Sequence, residues 1–269
     1  MDASDAFGQT LHPIIMSQMY DGKIQDDVWL YFQQMHSNSS THMKWNGKVT
    51  QDSITEGKGN RQGGMSSADE WKIYNNKMIQ NIEEECTDTD FISNIPTNCV
   101  AVADDVAPTV TANTPREALH KMQILLNIVE AHGEQLYMSF GVDKCKLLIS
   151  GRQKKITALE NLLIAEPQLL TFFGKPVSTV DDFYTHIGVP QATRKQSQVA
   201  SKYRISKGKD MSYKLQESTK NSLLGISPIA NRKMFLCYHQ PTFTYGLDTL
   251  NLTKADIASL ERSYRHILK

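Results

Sequence analysis

Cysteine is scarce in this sequence, and its spacing is not that of a metal site. The four cysteines are widely separated and form no CxxC pair: Cys86, Cys99, Cys145 and Cys237. Structural zinc sites and disulfide frameworks both need closely patterned cysteines, so the sequence favours neither. Such sparse use of cysteine is typical of proteins in a reducing compartment.

Long apolar runs are also missing. No stretch approaches the ~20 apolar residues that cross a bilayer as a helix. The first residues, MDASDAFGQTLH, do not contain the basic segment and apolar segment of a signal peptide. We therefore expect no membrane partner and an intracellular location, nuclear or cytoplasmic. The 269 residues, 40% hydrophobic and 22% charged, suffice for one large domain or two smaller ones.

The net charge is zero, but the two signs are unevenly distributed along the chain. Residues 1–110 hold 7 Lys and Arg against 16 Asp and Glu, whereas residues 111–269 hold 22 against 13. The basic excess is largest in 191–233, where 10 basic residues face only 2 acidic ones. This division fits an acidic part that binds cations and a basic part that follows a phosphate backbone. It equally fits a solvated basic helix face.

The element pattern predicts an α+β region up to about residue 190 and a mostly helical region after it. Asn46-Gly47, between THMKW and KVTQ, predicts a hairpin with a type I′ turn. The sequence TPRE predicts a helix with Thr114 as its N-cap, and we expect this helix to end at Gly133.

Near the end of the chain, TKADIASLERSYRHILK predicts a last helix. Thr253 and Asp256 have the spacing of residues that satisfy the free amides at a helix start. We expect these two residues to open the helix.

Two adjacent carboxylates, Asp104 and Asp105, lie in the middle of the apolar run NCVAVADDVAPTV at 98–110. The β-branched flanks predict two strands joined by a turn that carries the acids. Paired acids in such a place are either exposed turn residues or ligands of cations. Two-metal phosphoryl transfer needs carboxylates from separate elements around ions ~3.5–4 Å apart. Asp2 could supply the carboxylate from a second element.

Six segments resemble, in order, those of the reverse transcriptase domain of non-LTR retrotransposons. The first three are similar to the first carboxylate motif, the Arg-Gln-Gly loop and the Tyr/Phe-x-Asp-Asp box: DASDAF (2–7), NRQGGMSSA (60–68) and VADD (102–105). The others are similar to the lysine-bearing segment, the primer-grip hairpin and the thumb segment: VDKCKLLISG (142–151), FYTHIGVP (183–190) and TYGLDTLNLTKADIASLERSYRHILK (244–269). Together they cover nearly the whole chain.

The resemblance implies a polymerase palm over 1–190, an antiparallel sheet packed on helices, and a basic, mostly helical, partial thumb over 191–269. The implied activity is RNA-directed DNA polymerisation, in which a dNTP is joined to the 3′-hydroxyl of a DNA primer on an RNA template. The implied cofactors are two Mg²⁺ ions, with Mn²⁺ as an alternative. The family's fingers precede its first motif, and here that motif begins at Asp2. We therefore expect a palm and partial thumb cut from a longer polymerase, weak or inactive alone.

The resemblance also implies a role for each matched position in catalysis. Asp2 and Asp104 would be the direct metal ligands, and Asp105 would add negative charge to the same cluster. Lys144 would donate a proton to the leaving pyrophosphate. On residues alone, an exposed lysine after a turn is an equal alternative for Lys144.

Six further positions would contact the incoming nucleotide. Backbone amides of Asp5 and Ala6 would hold the triphosphate, and the ring of Phe7 would exclude a 2′-hydroxyl. The glycine-rich loop would approach nucleotide and template closely, through Arg61, Gln62 and Gly63.

A second group of positions would contact the primer–template backbone, independently of base sequence. These are the hairpin glycine and the basic residues that follow it: Gly188, Lys195, Lys202, Arg204, Lys207 and Lys209.

The sequence departs from the family pattern at several positions. Val102 replaces the aromatic residue before the acid pair, Gly8 replaces a second Asp, and Ala68 replaces a Pro. Two alternatives to the polymerase follow: a catalytically inactive remnant that binds nucleic acid, and an RNA-directed RNA polymerase. Phe7 distinguishes the latter, because a ribonucleotide polymerase needs room for the 2′-hydroxyl.

Overall fold

The computed structural model describes residues 6–37, 40–55, 58–60, 64–88, 98–102, 105–138, 140–186, 188–220 and 227–267. The chain divides into two compact units. The first unit comprises Met1–Lys146 and Gly151–Ser178, and the second comprises Leu147–Ser150 and Thr179–Lys269. The sequence placed the boundary at residue 190. In the structure the main part of the second unit begins earlier, at Thr179, because the hairpin at 184–191 packs on the long helix of that unit.

Both units contain helices and short antiparallel strand pairs, which is compatible with the predicted α+β class. The helices of the first unit are α1 (Ala6–Gln9), α2 (His12–Asp21), α3 (Asp26–Ser37), α4 (Ser67–Asp88), α5 (Pro115–Gln135) and α6 (Gln153–Ala165). Those of the second unit are α7 (Gln196–Lys220), α8 (Pro228–Met234), α9 (Gln240–Thr244) and α10 (Lys254–Ile267). A π-helical turn, Phe235–His239, joins α8 to α9.

The described strands form two-stranded pairs. They are β1 (Ser40–Thr41) with β4 (Ile54–Thr55), β2 (Lys44–Trp45) with β3 (Lys48–Val49), β5 (Asn98–Val102) with β6 (Asp105–Thr109), β7 (Lys146–Leu147) with β10 (Ser178–Thr179), β8 (Thr171–Phe172) with β9 (Lys175–Pro176), and β11 (Tyr184–His186) with β12 (Val189–Gln191). Among the described residues, no pair joins another into the larger sheet that a palm would have. The palm assignment therefore stays a prediction.

One face of α4 forms the centre of the first unit. Trp71, Tyr74, Met78 and Ile82 recur at helical spacing, and all four are buried. Helices α2 and α5 and strand β5 pack against α4. The Tyr74 hydroxyl donates a hydrogen bond to the carbonyl of Leu136, just beyond the end of α5.

The start of α5 confirms the prediction from TPRE, but its end does not lie at Gly133. The Thr114 hydroxyl accepts a hydrogen bond from the Glu117 amide at 3.2 Å. The helix continues through Gly133 to Gln135. Gly133 is buried, and a Cβ there would lie 3.1 Å from the ring of Phe140. The glycine thus permits close packing of an aromatic ring instead of ending the helix.

Helix α7 packs against α9 and α10 in the second unit. Gly208 allows this approach, since a Cβ at that position would lie 2.5 Å from the ring of Phe243. The start of α10 is as predicted: the Thr253 hydroxyl accepts from the Asp256 amide, and the Asp256 carboxylate accepts from the Thr253 amide.

The part of the chain that the structure describes contains no helix long and apolar enough to cross a membrane.

Candidate functional site

Asp105 lies beside the turn of a hairpin. Strands β5 and β6 are antiparallel, and Val102 is paired with Asp105 in the last register position. The connection between them is therefore only two residues long, and Asp105 is the first residue of β6. This confirms the predicted strand–turn–strand arrangement around the acids. Asp104 lies outside the described residues.

The hairpin is fixed to the body of the first unit. Strand β5 packs against α4, and Val106, next to Asp105, is completely buried. An anchored hairpin restricts the backbone that carries an acid pair, which pre-organises a site better than a free loop does.

Other predicted positions of the first unit are described only in part. The backbone of Ala6 and Phe7 lies in the first turn of α1. The remaining predicted contacts to metal and nucleotide fall outside the described residues: Asp2, Asp5, Arg61, Gln62 and Gly63. No group of three His, Cys, Asp or Glu residues suited to a metal ion occurs among the residues that are described. The metal cluster predicted from Asp2, Asp104 and Asp105 thus stays a prediction.

Lys144 ends a short 3₁₀ turn, Val142–Lys144, and its side chain is exposed. The turn is held by hydrogen bonds from the Lys144 and Cys145 amides to the Gly141 carbonyl, at 2.8 and 3.2 Å. The neighbouring Asp143 lies 3.6 Å from the ammonium of Lys175. Lys144 is thus an exposed lysine of the first unit, and its catalytic role is untested.

Four of the predicted backbone contacts are exposed lysines in the second unit. Lys195 precedes α7, and the others lie on that helix: Lys202, Lys207 and Lys209. Lys202 and Lys209 are two turns apart and share one face with Tyr213, whose side chain is 68% exposed. We call Lys202, Lys209 and Tyr213 the lysine face of α7.

Arg204 differs from these lysines. It is only 5% exposed, and its guanidinium donates a hydrogen bond to the Gly188 carbonyl at 2.5 Å. The guanidinium carbon also lies 5.3 Å from the ring centre of Tyr203 and 5.1 Å from that of Tyr245. Burial lowers the pKa of Arg204 below its usual range. The sequence predicted that Arg204 contacts phosphate. In the structure its buried side chain is hydrogen-bonded to the hairpin instead.

The hairpin formed by β11 and β12 is also held by residues from beyond α9. Gly188 adopts φ +73°, and a Cβ there would lie 3.5 Å from the ring of Tyr245. Gly246 adopts φ +71° and approaches Val189 so closely that a Cβ would lie 2.6 Å from its side chain. The two segments that resemble the primer grip and the thumb are therefore in direct contact.

A buried polar cluster in the first unit was not identified from the sequence. His36 Nε2 lies 2.9 Å from a carboxylate oxygen of Glu70, and both side chains are less than 10% exposed. The Ser66 hydroxyl donates to the other oxygen at 2.6 Å. The rings of His12 and His36 are 4.3 Å apart. His12, His36 and Glu70 lie on three different helices and are at least 24 positions apart in sequence, so no local pattern indicates the cluster.

The cluster favours the ionised form of Glu70 by lowering its pKa. Burial by itself would raise the pKa of Glu70, but hydrogen bonds from His36 and Ser66 and the charges of His36 and His12 outweigh it. The pKa of Glu70 is therefore below its ordinary value of 4.5. A carboxylate with a lowered folded pKa stabilises the fold above its unfolded pKa, and this stabilisation is lost as the pH falls through the folded value.

We expect Glu70→Gln to lower the free energy of unfolding at pH 7 by about 1–3 kcal/mol, because a buried charged hydrogen-bond partner is lost. The difference in the free energy of unfolding between Glu70→Gln and the unmodified protein should become smaller as the pH is lowered below 4.5. Urea unfolding at several pH values measures both effects. Glu134→Gln, at an exposed position on α5, is the control and should change neither. A constant difference at all pH values would contradict the assignment.

The chain matches no protein-family model, and no curated protein matches it. Its resemblance to reverse transcriptases consists of the motifs in the sequence, and the function is accordingly a proposal.

Proposed function

We propose that this chain contains the palm and thumb segments of an RNA-directed DNA polymerase of the non-LTR retrotransposon type. The observation that carries the proposal is the position of Asp105 beside a two-residue connection, in a hairpin that packs on α4. This is the arrangement that the Asp-Asp box of such enzymes requires. Five further motifs in the family's order support it.

The donor set fits a divalent metal site. Carboxylate oxygens are the ligands that Mg²⁺ prefers, and one or two of them suffice when substrate phosphates complete the coordination. Asp104, Asp105 and Asp2 would hold two Mg²⁺ ions, whose charge lowers the pKa of the primer 3′-hydroxyl and neutralises the leaving pyrophosphate. Lys144 would donate a proton to that leaving group.

The second unit would hold the primer–template. The lysine face of α7 presents two ammonium groups and an exposed tyrosine to solvent. Lysines on a helix contact phosphates irrespective of base sequence, as a polymerase that moves along its template requires. Arg204 would act indirectly, by fixing the Gly188 turn of the hairpin that resembles the primer grip.

Single-nucleotide primer extension on an RNA template tests the proposed chemistry. We expect slow incorporation of a dNTP that depends on Mg²⁺. Asp104→Asn should reduce it at least 100-fold, since removal of a group that stabilises transition-state charge has an effect of about that size. The exposed Asp181 is a matched acid elsewhere in the chain, and Asp181→Asn should retain the wild-type rate. Incorporation at equal, measurable rates by the unmodified protein and Asp104→Asn would contradict the polymerase.

The second candidate function is binding of nucleic acid without chemistry, which the lysine face of α7 favours. In this case an oligonucleotide binds, and its affinity decreases with salt, but no nucleotide is incorporated. Both candidate functions predict the same dependence on the charges of α7.

We expect Lys202→Gln and Lys209→Gln each to reduce the slope of log affinity against log salt by about 0.7–0.9, because each removes one phosphate contact. Arg204→Lys should leave the slope unchanged, since this side chain is bound to Gly188. It should instead lower the stability of the second unit, because lysine lacks the planar guanidinium that lies against Tyr203 and Tyr245. Filter binding over a salt series measures the slopes. A slope near zero for the unmodified protein would contradict both functions.

A further inference from the structure

The β2–β3 hairpin of the first unit presents a tryptophan to solvent. Trp45 is 80% exposed, whereas Trp71 is buried and Trp29 is half-buried. Trp71 is 1% exposed, and the indole of Trp29 donates a hydrogen bond to the Met16 carbonyl. Tryptophan is highly buried on average, so the exposure of this indole is notable, and the charges beside it decide what it could bind.

The turn fixes the backbone that carries this indole. Asn46 and Gly47 adopt φ +46° and +77°, the type I′ geometry predicted from the sequence. Such a turn matches the twist of the strands on either side and fixes their register. Trp45 is therefore presented on a short, regular hairpin, at low cost in conformational entropy when a ligand binds.

The register places positive charge beside the ring. Trp45 is paired directly with Lys48, and Lys44 is paired with Val49. Directly paired residues of antiparallel strands lie on the same face, so the Lys48 side chain is on the face of the indole. Lys44 adjoins Trp45 along the strand. Both lysines are exposed.

The charge of this hairpin is opposite to that of its surroundings in the chain. Residues 1–110 contain more than twice as many acidic as basic residues. Between residues 40 and 55 the only charged side chains are Lys44, Lys48 and Asp52. Positive charges beside an exposed ring are complementary to a polyanion that carries aromatic groups, because the charges attract its anionic groups and the ring stacks on its aromatic ones.

We infer that the β2–β3 hairpin binds single-stranded nucleic acid, with one base stacked on the Trp45 indole and phosphates contacted by Lys44 and Lys48. Single-stranded nucleic acid is recognised by stacking on aromatic rings within positively charged surfaces, with little sequence preference. This contact uses residues of the first unit, whereas the lysine face of α7 belongs to the second. It does not require catalysis, so it can hold even where primer extension fails.

Tryptophan fluorescence reports directly on this contact. We expect oligo(dT) and oligo(U) to quench the emission of the full chain in a saturable way, because Trp45 is the exposed fluorophore. Fluorescence anisotropy of a labelled oligonucleotide measures affinity independently of tryptophan. Trp45→Ala should weaken binding about 5- to 100-fold, and Trp45→Phe should retain most of the affinity because a phenyl ring also stacks.

Tyr31→Ala is the matched control, since it removes another exposed aromatic ring of the first unit, 62% exposed on α3. Its oligonucleotide affinity should equal that of the unmodified protein. Lys48→Gln should reduce the salt slope by about 0.7 without abolishing the quenching.

Three outcomes would overturn the inference: absence of quenching, unchanged affinity in Trp45→Ala, or equal losses in Trp45→Ala and Tyr31→Ala. Sedimentation tests whether a second copy of this chain covers the hairpin instead of nucleic acid. If Trp45→Ala converts a dimer into a monomer and leaves oligonucleotide affinity unchanged, the hairpin joins two copies of this chain, and the inference is wrong.

Discussion

Burial of one face of α4 is the interaction on which the arrangement of the first unit depends. Trp71, Tyr74, Met78 and Ile82 provide an apolar stripe on which α2, α5 and the β5–β6 hairpin all pack. The hairpin has too few residues to be stable by itself. Its packing on α4 therefore determines where Asp105 lies. The same helix carries Glu70, whose buried carboxylate is stabilised by His36 and Ser66.

In the second unit, close packing at two glycines determines how the elements are arranged. Gly208 lets the ring of Phe243 approach α7, and Gly246 lets the chain approach Val189. Arg204 then ties α7 to the carbonyl of Gly188. This leaves the lysine face of α7 as the exposed, charged side of the helix. In the proposed polymerase, the packed side of α7 would position the hairpin and the lysine face would bind the nucleic-acid backbone.

Local signals in the sequence were sufficient for much of the secondary structure. Asn46-Gly47 predicted a type I′ hairpin, and Thr114 and Thr253 predicted the starts of two helices, because these residues act on backbone groups close to them in sequence. Gly133 was interpreted wrongly as a helix end, since its role depends on Phe140, which contacts it through tertiary packing. The prediction for Arg204 also depended on tertiary packing. Its charge predicted a phosphate contact, and only the fold shows that its guanidinium donates a hydrogen bond to the Gly188 carbonyl. The cluster of His12, His36 and Glu70 has no local signal because its members come from three helices.

The proposed polymerase requires that Asp104 and Asp105 bind divalent cations. Electron paramagnetic resonance of Mn²⁺ tests it most directly, because it counts free metal and needs no polymerase activity. In a titration, the unmodified chain should take up Mn²⁺ that Mg²⁺ displaces, and Asp104→Asn should lose this uptake while Asp181→Asn retains it. Equal Mn²⁺ uptake by the unmodified protein and Asp104→Asn, or none by either, would contradict the account.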